Sequence, residues 1–136
     1  REPTGRPLVS VPGEVVPSGR HDFYTYEAKY LDPEGAKLLI PAPLEPHQRA
    51  EVQGHAARAF DALLSEGMAR VDFLMDKKSG HFFFNESNTI PGFTSISMYP
   101  KMWEASGLGY TDLLSRLVEL AQARQQRKSS LNRSRD

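Results

Sequence analysis

Hydrophobic and polar positions alternate most regularly between Ala69 and Met75. Ala69, Val71, Phe73 and Met75 take one side of an extended chain, and Arg70 and Asp72 the other. Lys77-Lys78-Ser79-Gly80 then reads as a turn, and His81 to Asn88 as the returning strand of a β-hairpin. Phe82, Phe83 and Phe84 are consecutive, which predicts burial on both faces near the turn. Before the hairpin, Val52, Ala56, Phe60, Leu63 and Leu64 recur at helical spacing, with Pro46 suited to the first turn and Gly67 to the stop. Gly54 weakens that helix by about 1 kcal/mol relative to alanine. After the hairpin, Pro100 opens a short helix through Trp103 that Gly107 ends. Thr111 caps a last helix with Leu113, Leu114, Leu117, Val118 and Ala121 on one stripe.

Toward the amino end, Leu8 to Val16 is a β-branched run interrupted by Pro12-Gly13, and Lys37 to Ile40 predicts a short strand stopped by Pro41 and Pro43. Between them, Pro17 to Gly35 is polar yet carries Phe23, Tyr24, Tyr26 and Tyr30. A long loop packed by its own aromatics is more often functional than connecting; an edge strand with an aromatic face is the other reading. The stretch from Gln125 to Asp136 is polar and basic and is expected to fray, so the chain divides into residues 1–124 and a tail, 125–136. The order strand, strand, helix, hairpin, helix, helix predicts an α+β fold with a mainly antiparallel sheet.

Composition narrows the function without naming it. The 136 residues are 39% hydrophobic and 25% charged, and 17 basic residues balance 17 acidic ones, so nothing global favours a nucleic-acid or membrane-surface partner. There is no cysteine, which removes disulfides and thiolate metal sites and suits a cytoplasmic setting. No apolar run approaches a membrane span. The start lacks Met, and no phosphate-binding half accompanies the hairpin; both lead us to expect a piece of a longer protein.

The chemistry is local. If a five-residue connection from Lys77 to His81 sets the register, Asp72 stands opposite Glu86 and Arg70 opposite Asn88. Like charges facing each other across a ladder are destabilising unless something neutralises them. Two carboxylates and an amide oxygen form a hard, all-oxygen set suited to Mg²⁺ or Mn²⁺, and such ions usually complete their shell with water and substrate phosphates. Arg70 is suited to clamp an oxyanion, or simply to pair with Asp72 on the surface. Downstream, Pro91-Gly92 permits close backbone approach to an oxyanion, and Ser97 beside the opening of a helix makes a carboxylate site. A plain turn and a plain cap are the bland readings of the same residues. His21, His47, His55 and His81 show no ligand spacing and read as surface residues.

At these residues the sequence resembles a known family. GMARVDFLMD and FFNESNTIPGFTSISMYPKMW closely resemble the D-alanine:D-alanine ligases of the ATP-grasp superfamily, and FYTYEAKYLDPEGAKLLIPA resembles their flexible loop. The resemblance implies the carboxy-terminal ATP-grasp subdomain, ATP as cosubstrate, and two Mg²⁺ ions held by Asp72, Glu86 and Asn88, with Glu86 bridging and Mn²⁺ an accepted substitute. It gives Arg70 and the Gly92 amide to the tetrahedral intermediate, and Ser97 and the Met98 amide to the carboxylate of the second D-alanine. Lys29 contacts phosphate and Tyr30 helps close the loop over substrate, a lid that would protect an acyl phosphate from water. The implied product is D-alanyl-D-alanine for peptidoglycan. Partners are the amino-terminal and central parts of the same enzyme, without which this chain should not catalyse ligation; a homodimer stays open.

Phe84 and Ser87 depart from the family pattern, where aliphatic or small residues are usual, and are expected to touch packing and adenine fit and to leave the metals alone. The alternatives are a related ligase using D-lactate, D-serine or another acceptor, with Tyr30 favouring an amine, and a non-catalytic module binding a metal or a partner.

Overall fold

The computed structural model describes residues 5–17, 36–94 and 96–130. Its elements are β1 (Glu14–Pro17), β2 (Ala36–Leu39), α1 (Pro46–Ala62), β3 (Arg70–Met75), β4 (Phe82–Asn88), α2 (Met98–Ala105) and α3 (Tyr110–Ser129). This is the expected α+β order, and both described strand pairs, β1–β2 and β3–β4, are antiparallel. No described helix is long and apolar enough to cross a membrane.

The amino-terminal run is less of a strand than its β-branched residues suggest. Only Glu14–Pro17 joins a ladder. Upstream, side chains replace the ladder: Gln53 Nε2 donates to the Ser10 carbonyl (2.8 Å) and Val11 N–H to Ser106 Oγ (2.8 Å), while Ala42 N–H donates to the Pro12 carbonyl (2.7 Å). Proline and glycine at 12 and 13 keep a regular partner off this segment, and α1 and α2 hold it instead.

Helix α1 begins as expected, with Pro46 in its first turn and Gln48 Oε1 accepting the Glu45 N–H at 3.1 Å. It ends earlier than Gly67. Leu64 adopts a left-handed φ of 51°, Ser65 N–H reaches the Phe60 carbonyl and Leu64 N–H the Asp61 carbonyl, both at 3.0 Å. That is a Schellman ending built on leucine where glycine is usual. Leu64 is 85% exposed, so its side chain has no packing role that would have marked it in the sequence.

The carboxy-terminal helix also differs from expectation. α3 continues through Gln125 to Ser129, so at least this part of the tail is helical. Its alanines, glutamines, arginines and lysine are good helix formers, and Glu66 accepts an ion pair from Arg124 and another from Arg127 (3.4 Å).

The core is small: among the described residues Ala42, Val52, Phe60, Tyr99 and Leu113 form it, with Pro91 and Pro100 also buried. α1 lies against the hairpin through His55, whose ring sits 6.1 Å from Phe73 and 6.4 Å from Phe82, beside a shallow cavity of about 250 Å³. His55 is therefore part of the packing, which its place one turn from Val52 would have signalled. The phenylalanine run is not buried on both faces: Phe83 is 57% and Phe84 51% exposed. Phe84 packs edge-on against Phe73 at 6.1 Å, whereas Phe83 pairs with Leu74 on the face opposite α1.

Candidate active site on the β3–β4 hairpin

The register brings together the residues that the alternation selected. Arg70 pairs with Asn88 and Asp72 with Glu86, and all four belong to the face turned away from α1. The route to that register was not the expected one. Asp76 leaves the strand, because its Oδ1 accepts the amides of Lys78 (2.8 Å) and Ser79 (2.7 Å) and lies 3.1 Å from Ser79 Oγ. Met75 consequently pairs with Phe82, and the connection runs from Asp76 to His81. Gly80 closes it at φ 73°, a conformation that costs glycine little. Continued regularly, this pairing would set Asp72 against Asn85 and turn Glu86 toward α1. A β-bulge between the Phe73 and Asp72 pairs absorbs Asn85 and returns Glu86 to the site face.

Arg70 then resolves the like-charge problem. Its Nε lies 2.8 Å and its Nη2 2.8 Å from the two oxygens of Asp72, and Nη2 is 3.5 Å from Glu86 Oε1. One planar guanidinium thus bridges both carboxylates. Asn88 Oδ1 accepts the Ile90 N–H at 3.0 Å, which turns the chain out of β4 and holds the amide oxygen at the end of the row. Ser87 is paired with Val71 on the α1 side, as its place between the chelator candidates implies; its buried Oγ has no hydrogen-bond partner among the described residues.

The exit loop is anchored at both ends. Pro91 is buried, and the Phe93 ring lies 5.4 Å from Tyr99 and 6.1 Å from Tyr110. Burial of Tyr99 raises its phenol pKa above the ordinary value, with a weaker opposing effect from Trp103. The loop folds back on itself: a Cβ built on Gly92 would lie 2.9 Å from Ser97 Oγ. α2 starts at Met98, two residues before the expected Pro100, so Ser97 directly precedes it, and its hydroxyl does not cap the helix. It accepts the Thr94 N–H at 3.0 Å and lies 2.8 Å from Thr94 Oγ1. Thr94 attracted no attention in the sequence because it sits in an irregular linker with no periodicity to expose it. Lys29 and Tyr30, the lid candidates, lie outside the described residues.

As a cation site the hairpin face fits a hard divalent ion. Two carboxylates already share a cationic partner, and the third ligand is an amide oxygen. Among the described residues no group of three or more His, Cys, Asp or Glu side chains is placed to hold an ion. An ion bound here would have to take most of its shell from water and phosphate.

Fold and face define an α+β module that presents an arginine-bridged acidic pair beside a tight loop from Gly92 to Ser97. Comparison with known proteins gives that class its family. The family described as D-ala D-ala ligase C-terminus matches residues 4–119, and the chain belongs to it. It is 56% identical over 126 residues to D-alanine--D-alanine ligase A of Bradyrhizobium diazoefficiens, covering 93% of this chain and 34% of that protein. With D-alanine--D-alanine ligase of Heliobacterium modesticaldum it shares 55% over 121 residues, 89% of this chain and 32% of that one. The solved D-alanine-D-alanine ligase of Coxiella burnetii superposes with a TM-score of 0.76 at 40% identity, covering 92% of this chain and 31% of that one. A D-Ala:D-Ser ligase of Enterococcus faecalis superposes at 0.69 with 32% identity, over 83% and 32%. The chain spans about a third of the length of these relatives.

Proposed function

We propose that this chain is the metal- and intermediate-binding part of an ATP-dependent ligase that joins two D-alanines. The observation that carries the reading is the register-corrected hairpin face, where Arg70 bridges Asp72 and Glu86. In the reaction, a carboxylate oxygen of one D-alanine attacks the γ-phosphorus of ATP, and ADP leaves. The amine of the second D-alanine, having lost a proton, attacks the acyl carbon, and inorganic phosphate leaves as the amide forms. Asp72, Glu86 and Asn88 would hold Mg²⁺, which would supply neutralisation of phosphate charge; Mn²⁺ suits the same oxygens.

Arg70 and the Gly92 amide stabilise the negative charge that grows on the tetrahedral centre. Ser97 and the Met98 amide hold the carboxylate of the second D-alanine at the opening of α2. Lys29 is assigned to ATP phosphate and Tyr30 to keeping water from the acyl phosphate. ATP's remaining contacts and the first D-alanine belong to the parts of the protein that precede this chain in its relatives, and the ATP supply suits a cytoplasmic setting.

The test is phosphate release by the full-length protein with ATP and D-alanine, D-lactate or D-serine as acceptor. D-alanine should give the highest kcat/KM; preference for D-lactate or D-serine would move the protein to a related ligase. Glu86→Gln should abolish Mg²⁺-dependent turnover, and unchanged turnover would remove the metal assignment and favour a non-catalytic module.

A further inference from the structure

We infer that Thr94 is a positioning residue that sets the Ser97 hydroxyl to donate to the carboxylate of the amine substrate, an inference that rests on the function proposed above. A serine before a helix ordinarily gives its oxygen to the amide of the second or third helical residue. Here the third is Pro100, which has no N–H, and Ser97 makes no cap bond. Its oxygen is committed backwards, to the Thr94 N–H at 3.0 Å, with Thr94 Oγ1 at 2.8 Å.

A hydroxyl has one proton and two acceptor lone pairs. The Thr94 amide fills one lone pair of Ser97. If Ser97 spent its proton on Thr94 Oγ1, it would meet a carboxylate with no donor to offer. If Thr94 Oγ1 donates instead, both lone pairs of Ser97 are occupied and its proton is directed outward. An anionic carboxylate selects the second arrangement, because only then does a charge-assisted bond form. Both hydrogen bonds to Ser97 come from one residue, so Thr94 fixes the position of the oxygen and the direction of its proton together.

The surroundings hold Thr94 for this task. Phe93, its neighbour, is wedged between Tyr99 and Tyr110, and Tyr110 Oη donates to the Phe93 carbonyl at 3.4 Å. The Ser97 N–H donates to the Thr94 carbonyl at 3.0 Å, which closes the turn from the other side. Gly92 leaves Ser97 Oγ uncrowded, since a Cβ there would stand 2.9 Å away.

The experiment compares Thr94→Val, Thr94→Ser and Ser97→Ala in the full-length protein, with KM for the second D-alanine, KM for ATP and kcat measured separately. Thr94→Val keeps the shape and removes the hydroxyl; it should raise KM for the second D-alanine about tenfold, leaving KM for ATP within twofold of the parent. Thr94→Ser should return KM for the second D-alanine to within about threefold of the parent. The inference is overturned if Thr94→Val leaves that KM unchanged, if Thr94→Ser rescues nothing, or if Thr94→Val raises KM for ATP equally. Ser97→Ala separates the two levels. An unchanged KM for the second D-alanine in Ser97→Ala removes the carboxylate role of Ser97 itself, whereas a raised value there with none in Thr94→Val removes only the role of Thr94.

Discussion

The β3–β4 hairpin obeys different rules on the two sides of Asn85. In the tip half, Phe73, Leu74 and Met75 face Phe84, Phe83 and Phe82, and contact is aromatic and apolar. Such pairs are non-directional and forgiving of small shifts. In the other half, Arg70 and Asp72 face Asn88 and Glu86, and each charge has one acceptable neighbour. There a single-residue slip turns a bridged acidic pair into a carboxylate against α1 and an arginine without its second partner. The tip can absorb an irregular turn, but the site half cannot, and the bulge is the device that insulates one from the other.

The comparison breaks most severely at Arg70. Arg70→Ala in the full-length protein should lower kcat by about 10²–10³, as expected when one group stabilising a developing oxyanion is lost. Steady-state kinetics at saturating ATP checks this. A residue inserted after Asn85 comes next: it should cost about 100-fold in turnover by displacing Glu86, while deletion of Asn85, which removes the bulge and keeps Glu86 opposite Asp72, should cost far less. Equal losses in both would show that the bulge does not protect the register. In the tip half, Phe73→Ala should destabilise by about 2 kcal/mol, less than for a fully buried phenylalanine. Mn²⁺ affinity should stay unchanged, and urea unfolding alongside a direct titration separates the two.

The smallest effect is at the turn. The amide of Ser79, then the amide of Lys78 and the Ser79 hydroxyl, hold the Asp76 carboxyl below its ordinary pKa of 3.8. A carboxyl with a lowered folded pKa contributes stability above its unfolded pKa and loses it as pH falls through the folded one. The gap in melting temperature between the parent and Asp76→Asn should therefore close as pH drops below about 3.8, with Mg²⁺ response the same in both.

Much of this was legible because alternation and periodicity are strong where one face is buried. The period-two pattern of Ala69 to Met75 placed Arg70 and Asp72 together, and the element order followed from the apolar stripes. What escaped had no compositional mark. Asn85 is one extra residue in a strand that already looked irregular, and Asp76 caps a turn that its neighbours alone seemed to form. Leu64 takes a conformation that leucine rarely adopts, so Gly67 looked like the stop. α3 outlasts its apolar stripe because Glu66, distant in sequence, pairs with Arg124 and Arg127. Thr94 and Ser97 met through a turn, where local hydrogen bonds rather than period decide the geometry.

The guanidinium lying across Asp72 and Glu86 gives the acidic cluster an internal counter-ion. Domains that fold around a metal come apart when it is chelated. This hairpin already has part of its acidic charge offset by the chain itself, so EDTA should silence the chemistry yet leave the far-ultraviolet spectrum in place. Added Mg²⁺ should raise the melting temperature only by the modest increment that ligand binding alone confers. On the proposed reading, the fold forms before any cation binds and keeps its shape when the cation is removed.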